Sequence, residues 1–354
     1  MIGKAQLLVL ALAVAGCGTD FQAEPAARTF DFGPFQLASG QEDADLCVAV
    51  TLHNDEPIYV NAARIAGAPG IHHSNWFWVP DNDAFDFPEG SWSCSTGGGT
   101  GHPFDQSAAA IFGGVLMAQS TQVYDEVQQF PEGAAIYIPP HSRIVAGIHL
   151  FNASDSAVTV PVALTIMPVY GFEVHTPLVG FSMEDEALAL PPNVPSSFTV
   201  ECDFTQAWQD LYAAGYVDSP QVDFQIYHAL AHYHQWGTGL QFEAIRDSDG
   251  GADMIWSTSS GIGDHLGGVL DPPFDLAGHS KLRLTCDYEN NTANTISWGN
   301  AGGEMCIAFA FTNSTRVWTA GVVTEGDPGP SVTQGGVTAF TAPSCTVTSV
   351  DGQH

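Results

Sequence analysis

The chain has 354 residues, more than one hydrophobic core normally takes, and carries 39 acidic against 8 basic side chains for a formal charge of −31 at pH 7. So large a negative charge argues against a nucleic-acid partner, whose phosphates it would repel. It is not an argument for a metal site, because scattered acids attract cations without ordering ligands around them.

Residues 1–17 read as an export signal. One positive charge at Lys4 precedes the apolar run Leu7 to Val14, which is too short to cross a bilayer core of about 30 Å. Val14-Ala15-Gly16-Cys17 fits a bacterial lipobox, in which Cys17 becomes the lipidated first residue. The expectation is a protein tethered by lipid outside the cytoplasm, on the periplasmic face of a membrane or at the cell surface. Residues 18–29 would be the polar tether, and glycine after Cys17 resembles an outer-membrane signal.

Six cysteines remain: Cys47, Cys94, Cys202, Cys286, Cys306 and Cys345. An even number in an oxidising compartment predicts three disulfides. Two of the six lie in the first half and four in the second, which favours pairing within each half and leaves the connectivity open. The chain has no C-x-x-C pair, which argues against a thiolate zinc site.

Glycine (37) and proline (22) punctuate short β-branched, alternating segments, so the fold class is all-β. Strands are predicted at Leu46 to Leu52, Arg143 to Phe151, Val158 to Pro168, Ser197 to Asp203, Val222 to Tyr233, Gly239 to Arg246, Lys281 to Tyr288 and Met305 to Thr312. Phe204 to Ala214 has the pattern of one or two helical turns, and Gly97 to Gly101 reads as a loop tip. Two tandem antiparallel β-sandwich domains of jelly-roll type follow, over residues 30–175 and 176–348. Pro168, Gly171, Pro177 and Gly180 break the strand pattern between Val169 and Met183, and Pro191 to Pro195 is a turn-rich lead into the second half.

Three features offer metal donors. The sharpest is Ala231-His232-Tyr233-His234, because side chains at i and i+2 of a strand share a face and two imidazoles there can grip one ion. Alone, H-x-H is more often a pair of ordinary surface or core histidines. The second is Gly302-Gly303-Glu304-Met305-Cys306, where Met305 is either a core thioether or a soft donor of the kind that favours Cu(I). The third is Ile71-His72-His73-Ser74, whose adjacent histidines need irregular backbone to meet at one ion, and Gly67-Ala68-Pro69-Gly70 supplies that freedom. His149, in the otherwise apolar strand Val145 to Leu150, is a further nitrogen or a structural histidine.

Taken together these residues resemble the copper type II ascorbate-dependent monooxygenases, the peptidylglycine alpha-hydroxylating and dopamine beta-monooxygenase family. There, a His-His pair and a distant His hold one copper, and H-x-H with the Met of an E-M-C motif holds another. The matching positions are His72, His73 and His149, then His232, His234 and Met305, in family order. Asp45-Leu46-Cys47, His234-Gln235-Trp236-Gly237 and Arg283-Leu284-Thr285-Cys286 extend the likeness over roughly residues 30 to 345. By the same resemblance Cys286 pairs with Cys306 and Cys202 with Cys345, which leaves Cys47 for Cys94.

The resemblance implies two copper ions facing each other across an open, water-filled cleft between domains. It implies reduction by ascorbate or another reductant, with dioxygen and substrate meeting at the site of His232, His234 and Met305. It also implies a small-molecule substrate, a membrane contact through the lipid, no nucleic acid, and a monomer. The chain departs from the peptide-amidating members at Leu230, Ile307 and Phe309, which stand where those enzymes carry Arg, Asn and Tyr. Without a basic clamp for a carboxylate, an apolar or amine substrate is expected in place of an anionic one. Gly147 replaces a Gln two positions before the third histidine.

His228 is expected on the ligand face, either hydrogen-bonding a ligand or filling the cleft. His53, His102, His141, His175, His265, His279 and His354 lie in polar or turn contexts and are not assigned as ligands. Two rival readings stand beside the enzyme: a non-catalytic extracytoplasmic copper-binding lipoprotein, and an adhesion or carbohydrate-binding module with incidental histidines. Fold alone does not choose among them, since function resides in the site.

Overall fold

The computed structural model describes residues 25–299, 302–323 and 326–352. The signal segment, Cys17, His354 and most of the expected tether lie outside the described residues. The strand Arg28–Leu37 begins inside the expected tether, so Arg28 and Thr29 belong to the first sheet.

The fold is all-β and built as two tandem sandwiches. In the first, a five-stranded sheet has the order Gly90–Ser93, Glu42–Thr51, Ser142–Phe151, Ile71–Pro80, Gly114–Ala118. It packs on the first part of an eleven-stranded sheet, made there by Arg28–Leu37, Val158–Val169, Ile58–Ala66 and Ala134–Ile138. Val48, Trp76 and Ile148 meet Val60, Ile65 and Leu164 in the core between them. In the second sandwich the rest of the eleven-stranded sheet is covered by a six-stranded one centred on Gly237–Arg246, His279–Asn290 and Val194–Asp203. Phe198, Phe242 and Leu284 there meet Phe181, Leu230 and Trp318.

One strand, Thr176–Asp185, serves both halves. Thr176 to Leu178 pair in parallel with Ala134 to Ile136, and Val179 to Glu184 pair antiparallel with Ile307 to Thr312. The strand therefore bridges the halves at the place where a boundary was expected. Pairing is otherwise mostly antiparallel. The other two parallel joints also unite distant stretches of chain, Thr176–Asp185 with Arg316–Val322 and Val194–Asp203 with Val337–Thr341, as parallel pairing requires.

The alternating segments form strands where expected, with two corrections that bear on the site. The strand expected to reach Tyr233 is Gln225–His232, and the one expected to start at Met305 is Ile307–Thr312, so His234 and Met305 both lie just outside regular sheet. The helix is Thr205–Ala214, ten residues long. It exceeds one or two turns because Trp208 anchors it in the core and Gly215, at φ 76°, ends it in the left-handed conformation.

Disulfides join Cys47 to Cys94, Cys202 to Cys345 and Cys286 to Cys306, the pairing that the resemblance implied. Three such bonds point to an oxidising, extracytoplasmic environment. Among the described residues no helix is long and apolar enough to cross a membrane.

Candidate metal centre

Ser142–Phe151 is a central strand buried on both faces. Ile144, Ala146, Ile148 and Leu150 enter the sandwich core, which by alternation turns His149 to the opposite face. On the neighbouring strand His73 pairs with His149 while Ile71 pairs with Leu150, so His72 is the extra residue of a β-bulge. This is the irregular backbone that adjacent histidines need to reach a common point. Gly70 leads into it at φ +112°, where a Cβ would lie 2.6 Å from Val160.

In the second half His232 ends its strand, and His234 is held by a different device. The Glu304 carboxylate, fully buried, accepts the backbone N–H groups of His234, Trp236 and Met305, the last two at 3.0 and 2.8 Å. One acid therefore fixes the exit from H-x-H and the start of the E-M-C segment together. Desolvation raises its carboxyl to about 7, against the stabilising pull of those amides. The Tyr288 hydroxyl donates to the Met305 carbonyl at 2.6 Å, and the Cys286–Cys306 disulfide pins the next residue to the same strand.

The five histidines form one cluster. Ring centroids of His73 lie 5.1 Å from His149, 4.9 Å from His232 and 5.3 Å from His234, and His72 lies 5.5 Å from His234. Two ligand triads result, His72–His73–His149 and His73–His232–His234, each with donor atoms within 4.8 Å of one another. His73 belongs to both. This corrects the expectation of two donor sets facing each other across an open, water-filled cleft. The physical reason is a seam beside the cluster: Thr121 donates its hydroxyl to the Tyr233 carbonyl at 2.8 Å, Gly263 N–H donates to the Thr121 carbonyl at 2.8 Å, and Leu266 N–H to the Ser120 hydroxyl at 2.9 Å. Closed in this way, none of the five rings is more than 8 % exposed.

The ring nitrogens have the polarity a metal needs. His149 Nε2 lies 2.7 Å from Glu42, and since a carboxylate accepts, Nε2 carries the proton and Nδ1 offers its lone pair. His234 Nδ1 donates to the Gly303 carbonyl at 3.1 Å, which leaves Nε2 as its free donor atom. That Nε2, with His73 Nδ1 and His232 Nδ1, is buried without a hydrogen-bond partner. Burial and neighbouring rings lower His72 to about 3 and His234 to about 4, and carry His73 and His232 well below the ordinary imidazole value. Burial lowers His149 as well, against the opposing pull of Glu42. All five are neutral at physiological pH, the form that binds a metal. Unpartnered nitrogens buried at this density are costly unless something fills them, so the donor set fits a transition-metal ion.

Met305 is not a member of either triad. It lines, together with His73, a cavity of about 320 Å³ between the halves, walled by Phe77, Ile307 and Phe309. A smaller cavity of about 150 Å³ is lined by Glu42, His72, His149 and His234. Gln106 lies over Gly147, where an added Cβ would come within 2.8 Å of its Nε2, and its Oε1 accepts from Asn75. An amide thus occupies the place that glycine leaves open. Leu230 is buried in the second core and does not line the larger cavity. His228 packs against Phe130 and Phe311, with burial lowering it to about 4.

Sequence reasoning did not single out Glu42, Gln106, Thr121 or Gln122, whose amide nitrogen is 3.5 Å from His72 Nδ1. None sits in a motif. Glu304 was visible only as part of E-M-C, although an acid between glycines and an apolar strand was its signal. A cavity of about 650 Å³ lies away from the cluster against Trp208. The basic groups that line it are already paired: Arg246 with Asp249 and Asp253, Lys281 with Asp203, Arg283 with Glu201.

No family model matches this sequence, and no curated protein matches it. Among solved structures it is similar to the major capsid protein P2 of bacteriophage PM2, at 8 % identity and TM-score 0.28, over 81 % of this chain and 97 % of that one. It is also similar to PNGase F, a glycosylasparaginase from Flavobacterium meningosepticum, at 9 % identity and TM-score 0.33, over 92 % and 100 %. Likeness this slight carries no argument about the site.

Proposed function

We propose that this chain is an extracytoplasmic copper protein, lipid-anchored at Cys17, that acts as a monooxygenase on a small organic molecule, in the manner of the copper type II ascorbate-dependent enzymes it resembles. The observation that carries the reading is the convergence of His72, His73, His149, His232 and His234, three of them (His73, His232 and His234) with a buried, unpartnered ring nitrogen, beside a chamber lined by His73 and Met305. Imidazole suits copper among several metals, and a thioether favours Cu(I).

Bound copper would supply one-electron chemistry with dioxygen and an ascorbate-type reductant. The chain's own residues do the rest. Glu42 and the Gly303 carbonyl orient His149 and His234. Glu304, Tyr288 and the Cys286–Cys306 disulfide hold the backbone around Met305. Phe77, Ile307 and Phe309 wall the chamber with apolar surface, which limits water around a reacting carbon. Glu184 and Glu186 are the acids of its lining, and among the described residues no Lys or Arg lines it, so an uncharged or cationic substrate fits and a carboxylate does not.

A second reading, a copper-holding lipoprotein without turnover, is favoured by one observation: the deep burial of all five rings in a closed seam. Copper-loaded protein given ascorbate, dioxygen and a panel of small uncharged and amine substrates separates the two. Oxygen uptake matched by a hydroxylated product supports the enzyme, stoichiometric copper without uptake supports the holder, and failure to retain copper ends both.

A further inference from the structure

The cluster has five imidazoles for two triads, and one ring is counted twice. His73 Nε2 lies 3.2 Å from His149 Nδ1. Two nitrogens each about 2.0 Å from a shared ion at a near-tetrahedral angle are separated by about 3.3 Å, so this pair is already spaced as co-ligands. The other nitrogen of the same ring, Nδ1, is buried and has no hydrogen-bond partner, although most buried polar atoms have one. His232 and His234 flank that ring, with His234 stacked on it at an interplanar angle of 25° and His232 edge-on. Each of those two contributes a buried, unpartnered nitrogen of its own.

Resting on the metal-binding reading above, we propose that the five histidines form a single dinuclear centre with His73 as the bridging ligand. Its Nε2 serves the ion held with His72 and His149, and its Nδ1 serves the ion held with His232 and His234. Two nitrogen–metal bonds form on one ring, and the single N–H proton of the neutral imidazole leaves to solvent. The other four rings remain neutral terminal ligands, two of them with their second nitrogen engaged by Glu42 and the Gly303 carbonyl. The consequence is magnetic and electronic: the ions communicate through a conjugated ring, which separate sites across an open cleft would not allow.

The test is a Cu(II) titration of the metal-stripped full chain, followed by metal analysis and quantitative electron paramagnetic resonance. The expected result is two Cu(II) per chain with an integrated spin signal well below that of two isolated ions, and release of one proton per chain, from the bridging ring, since the neutral terminal ligands release none. Two Cu(II) per chain with the full spin count would overturn the bridge while leaving the metal reading intact, as would uptake of one ion. No retained copper would defeat the metal reading itself. In His73→Ala, with its fold checked by circular dichroism, every copper still bound should give its full spin signal, and persistent coupling there counts against the bridge. The wild-type spin count decides the matter even if that variant does not fold.

Discussion

The hydroxyl of Thr121, from the first sandwich, donates to the main-chain carbonyl of Tyr233, the residue between the two histidines of H-x-H, at 2.8 Å. The bond ties the turn after Gly114–Ala118 to the backbone that carries His232 and His234, and its neighbours Ser120 and Gly263 extend the seam. Thr121→Val keeps the shape and leaves a buried carbonyl without a donor. We expect a loss of about 1 kcal/mol in unfolding free energy, read from the urea midpoint at unchanged slope. Metal affinity should fall with it, because the seam holds the two triads together; unchanged affinity would mean that the cluster closes without it.

Glu42 is partly exposed, so its removal should cost the fold little while releasing His149. Glu42→Ala is expected to weaken metal binding by about 10- to 100-fold, the usual effect of losing the acceptor behind a ligating imidazole. Competition titration against a chelator measures this, and a melt of the metal-free variant close to wild type separates it from unfolding.

Met305→Leu preserves apolar volume and removes the sulfur. Metal-free stability should change by less than about 1.5 kcal/mol, while affinity for Cu(I) falls and affinity for Cu(II) changes far less. Equal loss of both oxidation states would argue that Met305 only packs.

His228 supplies a pH dependence independent of the metal. Its folded pKa of about 4 lies below the unfolded reference of 6.5, through burial against Phe130 and Phe311. A depressed value means that its contribution is present above pH 6.5 and is lost as the pH falls towards 4, because the unfolded chain takes up the proton first. His228→Phe removes that penalty. The wild type should therefore lose stability relative to the variant by up to about 1.4 kcal/mol per pH unit across this window. A constant difference between pH 7 and pH 4.5 would refute the assignment.

Local patterns were legible in the sequence and long-range ones were not. Alternation marked the strand that carries His149, and a glycine-rich turn before paired histidines marked the bulge at His72, because both signals lie within a few residues. The pairing of Glu42 with His149 spans 107 residues, and that of Thr121 with Tyr233 spans 112, with no periodicity to connect them. Gln106 over Gly147 was hidden for the same reason. The distance between the two donor sets depends on how the sandwiches dock. An open cleft and a closed seam contain the same motifs, so only the structure distinguishes them.

The strand Thr176–Asp185 sets how the molecule comes apart. Because one ladder of amides runs from the first sandwich into the second, a fragment ending before Thr176 would present a raw edge at Ala134–Ile138 and invite intermolecular pairing. On this ground each half, expressed alone, is expected to aggregate or remain unfolded. Heat should dissolve both in one cooperative step, and any ion gripped by the histidines should raise the midpoint of the entire transition.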